Sequence, residues 1–289
     1  MFTIYGFTTY KKKTVMMLLS PYTPFKDPGA GYLPLDAYYI CSHKARKSTA
    51  GFITLLKEKG IDAEILTEPV YKKLAVRAGV AAILGTNSLV YNYYHGSRFF
   101  LSAIEISYQS EQAEHEFEQL MSELGAKRAE AGEITQSVNC HKCGKCIKAC
   151  PLSAISYNGF DPSKCMRTYM ADGIPDIDAA RKMGGAFWGC DICQRVCPHN
   201  RTEAVPMPNA LKKLLKIEDF LKNPKKHTDA LAEYIGANYA DKNRLLALCI
   251  NAAGNSGNKA YAPLITPHLK SQSAAVAAAA ERALVQVKT

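Results

Sequence analysis

The sequence lacks several features that would place it in a familiar class. No uninterrupted apolar run among its 289 residues approaches the roughly 20 residues that a membrane-spanning helix needs. It has no strong GxGxxG or P-loop motif, so we infer neither NAD nor ATP use. The opening residues, MFTIYGFTTYKKK, place their lysines after the apolar stretch rather than before it, which is unlike a secretory signal. These absences predict a soluble, cytoplasmic protein with no membrane partner.

Cysteine, by contrast, is abundant. Of ten cysteines in the chain, eight lie between residues 140 and 197. Secreted disulfide frameworks are usually short chains, whereas this chain is long and rich in core residues outside that segment. Clustered cysteines in a cytosolic chain are more often metal ligands. We therefore expect eight metal-binding thiolates, and we expect Cys249, on an apolar helical face, to be a core residue.

Two cysteine runs predict which metal centre is bound. The first, 140-CHKCGKCIKACP-151, has the spacing of bacterial ferredoxins, in which the fourth cysteine binds the other cluster of a pair. The second, 190-CDICQRVCPHN-200, is one cysteine short, with Phe187 where a regular run would begin. Cys165 is the remaining cysteine of the segment and the natural replacement. The predicted ligands are Cys140, Cys143, Cys146 and Cys197 for cluster 1, and Cys150, Cys165, Cys190 and Cys193 for cluster 2.

Zinc is the competing metal, because CxxC pairs also hold tetrahedral zinc. The two Cys-Pro endings, and the match of eight cysteines to eight ligand positions, favour two [4Fe–4S] clusters. Such clusters move single electrons. The segment has little hydrophobic periodicity, so we expect metal to hold its fold together.

The hydrophobic pattern predicts an α+β chain of three domains. Residues 1–133 read as an α/β domain with a helical linker, 134–205 as a bacterial-type two-cluster ferredoxin module, and 206–289 as a helical tail. The tail is typical of a HEAT repeat, whose period is about 40–47 residues, or of a small helical cap. Predicted strands are 14–19, 61–66, 82–93 and 98–108; predicted helices are 42–59, with Ser42 as a candidate N-cap, then 71–78 and the linker 111–131.

A net charge of +10 at pH 7 indicates an acidic partner. Basic residues flank the cysteine runs, and a second basic group follows them: Lys212, Lys213, Lys216, Lys222, Lys225 and Lys226. This distribution favours RNA or an acidic electron donor, such as a reduced ferredoxin or flavodoxin. A generally basic, solvated surface explains it equally well.

The order CxxCxxCxxxCP, then KC, then GCDxCQxVCPxN, followed by HEAT-like helices, resembles the epoxyqueuosine reductase family. The segment 75-AVRAGVAAILGTNSLVYNYYHGSRFFLSAIEI-106 resembles the stretch that precedes the clusters in that family. The resemblance implies a divergent, cobalamin-dependent reductase with two [4Fe–4S] clusters, related in plan to reductive dehalogenases. Low-valent cobalt in that family removes the epoxide oxygen of epoxyqueuosine in tRNA. By motif position, the corrinoid pocket would be lined by Asn87, Ser88, Gly96 and Ser97, and by Arg167 and Asp191.

Departures from the family pattern concern catalysis. The family's proton donor is an aspartate, whereas Leu66 or Thr67 stands at that position here. Glu64 and Glu68 are the neighbouring carboxylates that could replace it. Thr86 stands where the family usually has lysine.

Three functions remain open. One is a reductase that passes electrons through two clusters to a corrinoid, which reduces a small electrophile or a modified tRNA nucleoside. Another is a corrinoid-free, ferredoxin-type electron carrier for a partner enzyme. A third is a tRNA-binding protein without redox turnover, which only the charge supports. The segment 75–106 favours the reductase, and the missing aspartate favours the carrier.

Overall fold

The computed structural model describes residues 2–82, 84–108, 111–129, 140–172 and 176–288. The chain forms two compact units, and each consists of three segments. Unit 1 contains Met1–Tyr22, Cys41–Lys145 and Gln194–Thr202; unit 2 contains Thr23–Ile40, Cys146–Cys193 and Glu203–Thr289. This division rests on compactness alone, so the three domain ranges predicted from the sequence stay a prediction.

Unit 1 is built on a five-stranded sheet of order β3-β4-β2-β1-β5. All pairs are antiparallel except β1 and β5. The predicted strands at 14–19, 61–66 and 98–108 are confirmed. The strands β1 and β5 were not predicted. The strands are β1 (Ile4–Tyr10), β2 (Lys13–Pro21), β3 (Ile61–Ile65), β4 (Phe99–Tyr108) and β5 (Lys127–Arg128), with β6 (Ile155–Ser156) and β7 (Gly159–Phe160) forming a hairpin in unit 2.

Strand β2 is buried on both faces of the sheet. Met16 and Leu18 lie in one hydrophobic cluster, and Val15, Met17 and Leu19 lie in another. Successive side chains of a strand point to opposite faces. A strand covered on both faces therefore reads as a continuous apolar run, which is why the sequence revealed it.

The prediction of a strand over 82–93 is wrong. Its described residues form a loop with isolated bridges, Leu84 with Val90 and Asn92 with Gly96. The chain turns back within 85-GTNS-88, where the Ser88 N–H donates to the Gly85 carbonyl at 2.8 Å. Ser88 itself has a φ of +61°, in the left-handed region. Because the chain reverses at this turn, the apolar residues on either side of it cannot form one continuous strand.

Thirteen α-helices occur in the described residues. Their bounds are α1 (Ala37–Glu58), α2 (Tyr71–Arg77), α3 (Glu111–Glu123), α4 (Lys145–Ala149), α5 (Met166–Asp172), α6 (Ile177–Lys182), α7 (Ile192–Arg195), α8 (Asn209–Leu214), α9 (Ile217–Lys222), α10 (Pro224–Ile235), α11 (Lys242–Asn255), α12 (Ala262–Ile265) and α13 (Ala274–Lys288).

Helix α1 begins earlier than predicted. Ser42 is fully buried inside the helix and is not its N-cap. At the true start, the Asp36 carboxylate accepts a hydrogen bond from the Tyr38 N–H at 2.9 Å. An acidic acceptor before the first turn is a common way to begin a helix. Helix α3 is also shorter than the predicted linker 111–131, part of which lies outside the described residues.

The C-terminal part of unit 2 is helical, as predicted. Helix α11 starts at the N-cap Asp241, whose carboxylate accepts from the Arg244 N–H at 2.8 Å. Cys249 is fully buried in the core of this unit, so its prediction as a core residue is confirmed. The assignment to HEAT repeats stays a prediction. Among the described residues, none of the helices combines the length and apolarity needed to cross a membrane.

Candidate iron–sulfur centres

Five of the predicted ligand cysteines lie in unit 2. Cys165 precedes α5, and Cys193 lies in the short helix α7. Burial, followed by the neighbouring thiols of Cys190, Cys165, Cys146 and Cys150, raises the pKa of the Cys193 thiol to about 12. Cys165 is thus brought to the second cysteine run, although 25 residues or more separate them in the sequence.

The thiols of this cysteine group are well shielded from water. Burial, with a smaller contribution from the Cys165 thiol, also raises the pKa of Cys190 to about 12. Phe187, at the position where a regular run would have cysteine, is fully buried in the core of unit 2. Thiols this buried keep their protons at neutral pH unless a metal displaces them, so metal binding here is coupled to proton release.

Three ligands predicted for cluster 1 lie in unit 1: Cys140, Cys143 and Cys197. The Oγ1 of Thr86 lies 3.4 Å from the Cys140 Sγ, and the Tyr91 hydroxyl lies 3.5 Å from the Cys197 Sγ. Burial raises the pKa of Cys140, but hydrogen bonds from the Thr86 hydroxyl and from backbone N–H groups outweigh it, so the pKa falls below its usual value. Cys146, the fourth predicted ligand, follows Cys143 by three residues in α4.

The donor chemistry fits an iron–sulfur cluster. No three His, Cys, Asp or Glu side chains of the described residues are arranged to hold a single metal ion. In a [4Fe–4S] cluster the four thiolates bind four different irons, so they need not converge on one point as they do at tetrahedral zinc.

Asn87 and Ser88, predicted to line a corrinoid pocket, lie in the loop at 85–91. Asn87 is buried, and its Oδ1 accepts a hydrogen bond from the Tyr91 hydroxyl at 3.0 Å. Its Nδ2 is also buried, and no described residue accepts a hydrogen bond from it. A buried amide donor without an acceptor costs free energy, so this atom fits a ligand that supplies one.

Gly96 and Ser97 take part in an internal hydrogen-bond network. The Asn200 Oδ1 accepts from the Ser97 N–H at 2.7 Å, and the Gln194 Nε2 donates to the Ser97 carbonyl at 2.8 Å. A Cβ on Gly96 would lie 2.1 Å from the Asn200 Oδ1. These contacts account for both residues without a ligand, and their place in a corrinoid pocket stays a prediction. Sequence reasoning missed Gln194 and Asn200, although both belong to the motif CDxCQxVCPxN.

Arg167 lies in α5, two residues after Cys165. Its guanidinium stacks over the Tyr38 ring, with 4.5 Å to the ring centroid, and its Nε donates to the Tyr39 hydroxyl at 3.2 Å. Asp191 is a buried neighbour of Cys190. Each lies within two residues of a predicted cluster 2 ligand in the sequence. Their corrinoid role stays a prediction.

The two candidate acids sit in different surroundings. Glu68 accepts from the Lys11 Nζ at 2.6 Å and from the Tyr10 hydroxyl at 2.5 Å, and these hydrogen bonds, that of Lys11 first, lower its pKa. An acid whose pKa is lowered is ionised at neutral pH and is a poor proton donor. Glu64 is exposed on β3, 3.7 Å from the Lys13 Nζ. Leu66, where the resemblance would place aspartate, is buried in the core.

Comparison with known proteins identifies the cysteine segment. Residues 139–200 match the family model described as a 4Fe-4S double cluster binding domain, which supports two [4Fe–4S] clusters. The epoxyqueuosine reductase of Vibrio cholerae is 32% identical over 142 residues, which cover 48% of this chain and 32% of that protein. Across three such relatives, the chain spans about a third to three fifths of the relative's length.

Solved structures share the fold. The epoxyqueuosine reductase of Streptococcus thermophilus has a TM-score of 0.68 and 22% identity, and the match covers 95% of this chain and 73% of that one. An epoxyqueuosine reductase with an epoxyqueuosine-modified tRNA-Tyr stem loop has a TM-score of 0.64 and 16% identity, with coverage of 96% and 82%. At these identities the likeness concerns the fold, which is mixed α and β as the sequence predicted.

Proposed function

We infer that the chain, which belongs to an epoxyqueuosine reductase-like family, is an iron–sulfur oxidoreductase that passes single electrons through two [4Fe–4S] clusters to a corrinoid. The observation that carries the proposal is the grouping of Cys165 with the second cysteine run, inside a segment that matches a double-cluster domain. This grouping supports Cys165 as the fourth ligand of cluster 2 in the two proposed ligand sets. These are Cys140, Cys143, Cys146 and Cys197 for cluster 1, and Cys150, Cys165, Cys190 and Cys193 for cluster 2.

Asn87 supports a corrinoid as the electron acceptor. Its buried Nδ2 lacks an acceptor among the described residues, and the amide side chains of a corrinoid carry carbonyl oxygens that would supply one. When bound, a corrinoid would supply a cobalt centre able to reduce an electrophile, while the protein orients the reactants. Ser88, Gly96, Ser97, Arg167 and Asp191 are the further residues proposed for this pocket.

The proposed electrophile is a small molecule or a modified tRNA nucleoside. A relative's structure contains an epoxyqueuosine-modified tRNA stem loop, and the net charge of +10 suits a phosphate-rich partner. The proposed electron donor is a reduced ferredoxin or flavodoxin, whose acidic surface would be attracted to the same basic residues.

A second candidate function is a corrinoid-free electron carrier. It is favoured by Leu66, which is buried and cannot donate a proton, and by the ionised state of Glu68. Glu64 is the remaining candidate acid. On this reading the two clusters would serve a partner enzyme that holds the reaction site.

Cobalt spectroscopy decides between these functions. The protein is reconstituted with iron and sulfide under anaerobic conditions and mixed with cob(II)alamin, and the cobalt EPR spectrum is recorded. We expect a change in cobalt coordination at near-stoichiometric cobalamin. A free-cobalamin spectrum at saturating protein would contradict the corrinoid and leave the carrier.

A pair of asparagine variants makes the test specific. Asn87→Ala removes the proposed donor and should weaken cobalamin binding, whereas Asn158→Ala, at an exposed turn in unit 2, should leave it unchanged. Equal cobalamin binding by both variants would show that Asn87 does not contact the corrinoid.

A further inference from the structure

Two hydroxyl groups of unit 1 contact the sulfur atoms of cluster 1 cysteines. The Thr86 Oγ1 lies 3.4 Å from the Cys140 Sγ, and the Tyr91 hydroxyl lies 3.5 Å from the Cys197 Sγ. Both distances fall within hydrogen-bonding range for sulfur. Thr86 and Tyr91 come from one loop, so a single short segment reaches two ligands that are 57 residues apart in the sequence.

The packing of the loop fixes Tyr91. Its side chain is 3% exposed, and its ring packs against that of His199 with 5.5 Å between centroids. A Cβ on Gly85 would lie 2.6 Å from the Tyr91 ring, so the absence of a side chain there lets the ring lie against the loop. The Tyr91 hydroxyl is therefore shielded from water and held close to the Cys197 Sγ.

The direction of both hydrogen bonds follows from the chemistry of the ligand. A free thiol can donate or accept, but a thiolate bound to iron has no proton and can only accept. Thr86 and Tyr91 must therefore donate to sulfur once the cluster is present. The Tyr91 proton, which the Asn87 Oδ1 accepts at 3.0 Å here, then turns toward Cys197.

The cysteines assigned to cluster 2 have different neighbours. Their hydrogen bonds in the described part of unit 2 come from the backbone, with the Ala154 N–H donating to the Cys150 Sγ at 3.3 Å and the Ile192 N–H to Cys190. Cys190 packs against the buried apolar core of unit 2, which includes Met166, Met170, Phe187 and Trp188. The carboxylates of Asp191 and Asp36 also lie near this thiol and raise its pKa.

We propose that the Thr86 and Tyr91 hydroxyls raise the reduction potential of cluster 1 above that of cluster 2, so that electrons collect on cluster 1. Reduction adds one negative charge to a cluster, and hydrogen bonds to its sulfur atoms stabilise that charge, whereas apolar burial opposes it. The inference rests on the ligand assignment under the proposed function, but it does not depend on a corrinoid.

A potentiometric titration tests the proposal. The reconstituted full-length protein is reduced stepwise with dithionite, which supplies one electron per cluster, and each cluster is followed by EPR. The signal that Cys197→Ser alters belongs to cluster 1, and the signal that Cys165→Ser alters belongs to cluster 2. We expect cluster 1 to be reduced first.

Removing either hydroxyl should make cluster 1 harder to reduce. Thr86→Val and Tyr91→Phe should each lower the ratio of reduced to oxidised cluster 1 about tenfold at fixed potential, which is about 59 mV for a one-electron couple. Cluster 2 should not change. Thr86→Ser keeps a hydroxyl and should restore the parent potential. Thr49→Val and Tyr5→Phe, at buried positions of unit 1 away from the cysteines, are the matched controls.

Several results would overturn the inference. Unchanged cluster 1 potentials in Thr86→Val and Tyr91→Phe at full iron content would do so, as would a higher potential for cluster 2 in the parent protein. Should either variant lose iron, two measurements still test the inference. They are the order in which the two clusters of the parent protein are reduced and the cluster 1 potential of Thr86→Ser. A protein without cobalamin binding but with the expected potential shifts would lose the corrinoid proposal and keep this one.

Discussion

At the scale of single residues, Cys165 is the predicted ligand that brings the iron–sulfur segment to eight cysteine thiolates. It lies away from both cysteine runs in the sequence, yet it is near enough to Cys190 and Cys193 to raise the pKa of both thiols. A cluster with three thiolates has an incomplete ligand shell, so this one side chain determines whether cluster 2 forms.

Replacing Cys165 with serine should remove one cluster and leave the other. We expect the iron content to fall by about half and the free energy of unfolding to decrease, because metal binding contributes to folding. Iron analysis and EPR after anaerobic reconstitution measure both clusters. Cys41→Ser is the control, since Cys41 is a half-buried thiol outside the predicted ligand sets. Full iron content with unchanged spectra in Cys165→Ser would show that the assignment is wrong.

Gly96 and Gly184 form a matched pair for the hydrogen-bond network around Asn200. Both have a φ of +56°, so alanine meets the same backbone strain at each. At Gly96 the new Cβ also overlaps the Asn200 Oδ1 and, at 2.6 Å, the His199 carbonyl, whereas at Gly184 nothing lies within 4 Å. We expect Gly96→Ala to lower the free energy of unfolding by about 2 kcal/mol more than Gly184→Ala, measured by denaturant titration. Equal decreases in the free energy of unfolding would mean that the hydrogen-bond network rearranges around the new methyl group without a loss of stability.

At the scale of elements, the pairing of α11 with α13 depends on a glycine. A Cβ on Gly254 in α11 would lie 2.6 Å from the Cα of Ala283 in α13. The two backbones therefore approach more closely than any larger residue at 254 would allow.

Alanine at this position should destabilise the protein despite its higher helix propensity. Alanine gains about 1 kcal/mol over glycine inside a helix, but forcing the two helices apart costs about 1–3 kcal/mol. Gly51→Ala in α1, where nothing lies within 4 Å, should show the gain alone. Thermal unfolding of the two variants should thus shift Tm in opposite directions. A raised Tm in Gly254→Ala would contradict this account of the helix pair.

Elements with a strong periodic signal could be predicted, and the loop at 82–93 could not. Strand β2 has an apolar run that only a doubly covered strand explains, and the C-terminal helices have regular apolar faces. The loop is also rich in apolar residues, but they serve tertiary contacts, such as Tyr91 against His199. The presence of two [4Fe–4S] clusters could be predicted from the cysteine spacing because iron–sulfur chemistry constrains it, whereas the individual ligands stay a prediction. The hydroxyls of Thr86 and Tyr91 could not, since only the fold brings them to sulfur.

At the scale of the whole molecule, the net charge of +10 allows the proposed tRNA partner to be tested. A protein that neutralises RNA phosphates releases counterions, so its association constant falls steeply and linearly with salt on logarithmic axes. We expect this behaviour with a tRNA anticodon stem loop between about 50 and 200 mM salt, followed by fluorescence anisotropy. Part of the basic charge is already paired, as in Lys222 with Glu218 and Lys225 with Asp229. Binding that is flat across this range would leave the charge without a nucleic-acid role.

The three-segment composition of each unit restricts how the gene can be rearranged. Unit 1 runs from Met1 to Thr202 with unit 2 segments inserted, and unit 2 runs from Thr23 to Thr289 with unit 1 segments inserted. Every single crossover in the coding sequence therefore separates parts of at least one unit. Chimaeras with relatives joined at one point would combine half-units that never packed together. Exchanging one whole unit with that of a relative needs five crossovers, one at each boundary between the segments.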